Sequence, residues 1–110
     1  MKRGDVVTVA MPGDYGKPRP AVIVQSDRVA MVDSLLVCPF TSEIQDAPLY
    51  RIDVLPDAAN GLKRPSQLMV DKIAPAPRGK IGRLTGRVNT DTLDRLGTAI
   101  ALVTGLLDEA

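Results

Sequence analysis

The sequence predicts a mainly β fold: a small, strongly bent sheet or partly open barrel of about five to seven short strands, closed by one C-terminal amphipathic helix. Three observations carry this. Short apolar runs rich in β-branched residues recur from Asp5 to Leu84, separated by turns bearing Gly, Pro and Asn. Helical periodicity is confined to the end of the chain, where Leu93, Leu96, Ile100, Val103 and Leu107 share one face. The length of 110 residues suits one core and is too short for two, so residues 1–110 are expected to form a single domain.

Each element follows from its local residues. Asp5 to Ala10 is a β-branched first strand, and Met11 to Gly16 supplies a loop with Pro and two Gly. Pro18 and Pro20 stiffen the approach to a second strand, Ala21 to Val24, which does not alternate and is therefore expected to be covered on both faces. Ser26 to Asp33 reads as a loop or a single helical turn. Ser34 to Phe40 is a third apolar strand, left by the polar loop Thr41 to Pro48. Leu49 to Leu55 alternates, with Tyr50, Ile52 and Val54 on one side and Arg51 and Asp53 on the other, as in a half-buried strand. Pro56 to Gly61 is a turn ending in Asn-Gly, and Ser66 to Ile73 a fifth strand. Ala74-Pro75-Ala76-Pro77 is expected to break it, and Arg78 to Leu84 reads as a short strand or a basic hairpin. Asn89, Thr90 or Asp91 caps the final helix, which Gly97 and Gly105 weaken by roughly 1 kcal/mol each relative to Ala.

Composition narrows the chemistry. The chain has no histidine, which removes the commonest general acid/base and metal ligand. Its one cysteine, Cys38, lies in an apolar run and reads as a small buried hydrophobe, so neither an intrachain disulfide nor a cysteine-built metal site is expected. No apolar run approaches the roughly 18 residues of a membrane span, and Met1 to Asp5 lacks the apolar segment of a secretory signal. A cytoplasmic protein is expected. The net charge is only +1, but Lys63 to Arg87 carries seven basic residues against the single acid Asp71, a net +6 that leaves −5 for the remainder. Such a basic half is the footprint of a polyanion-binding surface.

Two polar clusters leave the ends of core strands. Lys17 and Arg19 lead into the second strand; Thr41 and Ser42 leave the third. If these strands are antiparallel neighbours, Arg19 meets Thr41 and Ser42 at one edge of the sheet. A guanidinium fork beside two hydroxyls offers the paired and single donors that hold a phosphate.

The ordered set of Lys2-Arg3-Gly4-Asp5-Val6-Val7, Arg19-Pro20-Ala21-Val22-Ile23-Val24, Gln25-Ser26-Asp27, Val37-Cys38-Pro39-Phe40-Thr41-Ser42, Gln67 to Ile73 and the closing Leu-rich helix resembles the MazF/PemK toxins of bacterial toxin–antitoxin pairs. The resemblance implies an SH3-like barrel, a homodimer, metal-independent cleavage of single-stranded RNA without a cofactor, and an acidic antitoxin protein as partner. It implies catalytic roles for Arg19, Thr41 and Asp71. The departures are a short first loop with Asp14-Tyr15-Gly16-Lys17 in place of the common Glu-Gln, Met69 where some relatives have Arg, and Lys72 for a common Gln.

Cleavage of RNA without metal or histidine leaves the substrate's 2′-hydroxyl as nucleophile, giving a 2′,3′-cyclic phosphate. Arg19 then stabilises charge on the phosphoryl group, Thr41 orients it, and Asp71 takes a proton. Lys17, Arg64 and Lys72 are expected to contact RNA phosphates, with Ser42 beside Thr41. Aromatic content of 3% is poor for stacking, so base selection is expected from Gln25, Gln67 and the Glu43 to Asp46 segment. The alternative is a non-catalytic SH3-like binding module, or a toxin of the same shape that poisons gyrase.

Overall fold

The computed structural model describes residues 1–11, 17–30 and 33–109. The loop expected over residues 12–16 therefore lies outside the described residues, as do Met31 and Val32. Seven strands run β1 (Asp5–Val9), β2 (Arg19–Ile23), β3 (Ser34–Thr41), β4 (Arg51–Val54), β5 (Ser66–Met69), β6 (Ala74–Pro77) and β7 (Ile81–Arg87), followed by helix α1 (Thr90–Val103). All pairings are antiparallel, in the order β4-β5-β3-β2-β1-β7, with β6 added to β3. The eight-residue β3 is the spine. Its first half pairs with β6, and its last two residues, Phe40 and Thr41, pair with Leu68 and Gln67 of β5. Sharing one strand between two ladders bends the sheet into the expected partly open barrel.

Both faces of the central strands are buried, as the absence of alternation in β2 requires. Val6, Val22, Cys38 and Phe40 point to a cluster with Ile52, Leu68, Leu96 and Ala99, while Val7, Ala21, Ile23 and Val37 point to a second one closed by Ala76. Burial raises the Cys38 thiol from 9.0 to about 12, with the Asp71 carboxylate adding to the rise and Arg51 opposing it. An unfolded chain releases this proton above pH 9 and the folded chain retains it. Stability is therefore expected to be intact below pH 9 and to fall between pH 9 and about 12, by up to about 1.4 kcal/mol per pH unit. Urea unfolding across that window checks this, and Cys38→Ala flattens the slope.

Several elements differ from their sequence-based expectations. Ala74–Pro77 is a strand rather than a break. Among the described residues β3 is its one neighbour, and every second N–H of such an edge strand faces away from the ladder, which is where proline is tolerated. β5 stops at Met69, and Val70–Lys72 forms a turn of 3₁₀-helix. Arg51 is not on a solvent face: its side chain is only 7% exposed and pairs with Asp71. Helix α1 is capped by Asn89, whose side chain accepts from the Thr92 N–H at 2.8 Å, but it ends well before Leu107. Gly105, at φ 72°, terminates it. The Gly105 N–H donates to the Leu102 carbonyl and the Leu106 N–H to that of Ala101, a paired bond pattern that needs a left-handed residue at this position. Leu96 and Ala99 are buried, whereas Val103 and Leu107 are exposed.

The Asn-Gly turn is built around a buried amide. Asn60 is 1% exposed; its oxygen accepts from the N–H groups of Asp57 and Leu62, and its nitrogen donates to the Leu55 carbonyl. Gly61 (φ 71°) continues the turn where a Cβ would collide with the Thr85 carbonyl oxygen. Asn60→Ala removes three part-buried hydrogen bonds to backbone groups and is expected to cost about 2 kcal/mol, read from the urea midpoint.

Candidate active site

β2 and β3 pair as far as Ala21 opposite Pro39, and Arg19 and Thr41, each two residues beyond that pair, line the same groove. The two side chains that the sequence separates by a long loop thus share one rim. Pro18 and Pro20 fix the backbone on either side of Arg19, and the pairing of Arg19 with Val9 anchors it to β1. The Thr41 hydroxyl oxygen accepts from the Glu43 N–H at 3.1 Å, which leaves its own proton to donate outward.

This rim borders an open groove of about 970 Å³. Lys17 and Arg19 enter it from the start of β2, Lys63 and Arg64 from the loop before β5, Lys72 from the 3₁₀ turn and Arg83 from β7. Among the described residues lining it, the one carboxylate facing these six cations is Glu43. Pro20, Pro39, Phe40, Leu62 and Met69 supply apolar surface between the charged groups. A cleft lined by one sign of charge concentrates counter-ions, and this composition suits a chain of phosphates with apolar faces between them.

Six of the sequence-predicted residues converge here: Arg19, Thr41, Lys17, Ser42, Arg64 and Lys72 all line the groove. Three do not. Gln25 sits at the opposite end of β2, roughly 20 Å of strand away. Its side chain donates to the Val29 carbonyl and accepts from the Leu36 N–H, pinning the turn after β2. Gln67 is 3% exposed and clamps the loop after β3: its oxygen accepts from the Gln45 N–H at 3.0 Å, and its nitrogen donates to the Gln45 carbonyl at 2.9 Å and to Asp53 at 2.8 Å. Asp71 faces Arg51, with Oδ1 3.5 Å from a buried guanidinium Nε that has no hydrogen-bond partner. In a 3₁₀ turn successive side chains point about 120° apart, so Lys72 enters the groove as Asp71 turns from it. In the sequence, Lys63 and Arg83 stand out only as members of the basic segment, and Glu43 only as part of the Glu43 to Asp46 segment expected to select bases.

No helix among the described residues is long and apolar enough to cross a membrane. Residues 2–104 match the family model of PemK-like, MazF-like toxins of type II toxin–antitoxin systems. The chain is 41% identical over 107 residues to a probable endoribonuclease MazF of Mycolicibacterium smegmatis, covering 96% of this chain and 98% of the relative. It is similar in structure to the Mycobacterium tuberculosis toxin MazF-mt6, with a TM-score of 0.75 at 25% identity over 91% of this chain and 96% of that one. A mycobacterial endoribonuclease solved with its cognate antitoxin shares the fold, with a TM-score of 0.79 at 20% identity over 96% of each chain. The family model over nearly the whole chain and the 41% identical relative agree: the chain belongs to the PemK-like, MazF-like toxins of type II toxin–antitoxin systems.

Proposed function

We propose that this chain is the toxin of such a pair and acts in the cytoplasm as a sequence-selective, metal-independent endoribonuclease on single-stranded RNA. The observation that carries this reading is the meeting of Arg19 and Thr41 on the rim of a groove lined by six cations. Arg19 binds the scissile phosphate and stabilises the charge that grows on its oxygens as the neighbouring 2′-hydroxyl attacks. Its guanidinium stays protonated throughout, so it serves as an electrostatic clamp and not as a proton carrier. Thr41 donates to a phosphate oxygen and fixes the phosphoryl group against Arg19, with Ser42 beside it. Lys17, Arg64 and Lys72 hold the flanking phosphates. A flexible single strand lets the 2′-oxygen line up opposite the departing 5′-oxygen, which a regular duplex resists.

Family membership supplies the other partners in this reading: an acidic antitoxin that occupies the same basic surface, and a second copy of the chain. Gln25 and Asp71 have no direct role on RNA in it, because each is engaged away from the groove. Gln67 acts from beneath, by holding the loop that carries Glu43.

The test is incubation of purified protein with single-stranded RNA in EDTA. Discrete fragments ending in 2′,3′-cyclic phosphate and 5′-hydroxyl are expected; intact RNA, with gyrase inhibited instead, overturns the reading. Binding should also weaken steeply with salt. With log Kobs falling by about 0.7 per log unit of salt for each phosphate neutralised on a single strand, six contacts give a slope near −4, measured with a non-cleavable 2′-deoxy oligonucleotide.

A further inference from the structure

The proposed cleavage needs a group that takes the proton from the 2′-hydroxyl. Hydroxyls hold their protons too tightly at neutral pH, and Lys and Arg side chains are protonated donors with no lone pair to offer. Asp71, the acid the sequence suggested, faces the Arg51 side of its turn. Asp53 accepts from Gln67 beneath the loop. Neither lines the groove, and among the described residues Glu43 is the carboxylate that does.

We propose that Glu43 is the proton acceptor of this enzyme, a role that rests on the endoribonuclease reading above. Its position is fixed from both sides. Its own N–H donates to the Thr41 hydroxyl oxygen, tying it to the group that holds the phosphate. Two residues on, the Gln45 backbone is gripped by both ends of the buried Gln67 amide. A carboxylate held two residues from Thr41 lies within side-chain reach of a 2′-oxygen next to the phosphate that Thr41 orients. Its charge also opposes the binding of phosphates, which the surrounding Lys17, Arg19, Lys63, Arg64, Lys72 and Arg83 exist to attract. A group that weakens ground-state binding yet sits at the reacting phosphate fits a role realised in the transition state.

A Glu43 carboxylate oxygen takes the 2′-hydroxyl proton as the 2′-oxygen forms its bond to phosphorus. The bond from phosphorus to the 5′-oxygen breaks, its electron pair leaves with that oxygen, and water in the open groove supplies the proton that makes the 5′-hydroxyl. Glu43 then returns its proton to solvent, and nothing is oxidised or reduced.

The experiment compares wild type, Glu43→Gln, Glu43→Asp and Asp14→Asn on one RNA that the wild type cuts, with melting curves to show each variant folded. Single-turnover rate, its pH profile, and affinity for the same RNA carrying 2′-deoxyribose at the cut site are measured. Glu43→Gln is expected to lose about 100-fold or more in rate and the acidic limb of the profile, while binding the deoxy RNA as well as wild type or better. Glu43→Asp retains part of the rate, and Asp14→Asn all of it. The proposal is overturned if Glu43→Gln keeps the rate and the acidic limb, if it loses only affinity for one particular base, or if Asp14→Asn removes the limb instead. Wild type that is folded and cuts no RNA overturns the endoribonuclease reading itself, and that result appears before any variant is compared.

Discussion

Replacing Arg19 with Ala is expected to lower the single-turnover rate of RNA cleavage by 100-fold to 1000-fold, a loss of roughly 3 to 4 kcal/mol of transition-state stabilisation. Arg19 is exposed at the end of β2, so the melting temperature should hardly move. Arg19→Lys should recover little, because a point charge replaces a planar fork that grips two phosphate oxygens at once. The contrast with Lys17→Ala is informative. Lys17 lines the same groove but stands outside the pairing with Thr41, and it should cost affinity at low salt and not the rate at saturation. A rate unchanged in Arg19→Ala, with RNA still cleaved at the same bond, would remove the clamp from the account.

Asp71→Ala is expected to act on stability and not on the chemical step. It leaves the Arg51 guanidinium, 7% exposed and with its Nε already lacking a hydrogen-bond partner, as an uncompensated buried cation. Breaking a fully enclosed pair costs about 3 to 5 kcal/mol; because the Asp71 side chain is 34% exposed, about 2 to 3 kcal/mol is expected here. Urea unfolding measures the loss, and the cleavage rate per folded molecule should be unchanged. The Arg51 guanidinium also lies 5.9 Å from the Tyr50 ring centroid, a contact that offsets part of the desolvation in wild type. An Asp71→Ala protein as stable as wild type but inactive would return Asp71 to the catalytic set.

How far the sequence carried the fold depends on which physical rule governed each segment. Apolar and β-branched runs between turn residues located β1 to β3, and alternation located β4, because side-chain packing and local backbone preference agree there. The meeting of Arg19 with Thr41 was also legible, since antiparallel neighbours bring the start of one strand to the end of the next. Misplacements arose where one residue pattern serves two geometries. Ser66 to Ile73 has the pattern of one strand, yet it turns to 3₁₀-helix after Met69, and this change of period is what separates Asp71 from Lys72. Proline at 75 and 77 signalled a break, but a strand with a single neighbour accepts it. The leucine period ran on through Leu107, while the backbone reversal at Gly105 ended the helix first. Gln25 and Gln67 show a different limit: an amide pairs equally well with a base edge or with backbone, and only the fold reveals that both are already engaged. For Gln25 the signal was present, because six residues of extended chain separate it from Arg19.

The most direct measurement of the central claim is a structure of this protein with a short RNA carrying 2′-deoxyribose at the cut site. The scissile phosphate is expected at the β2–β3 rim, with the Arg19 guanidinium and the Thr41 hydroxyl both within hydrogen-bond distance of its oxygens. An oligonucleotide seated on another face, with its phosphates out of reach of Arg19 and Thr41, would contradict it.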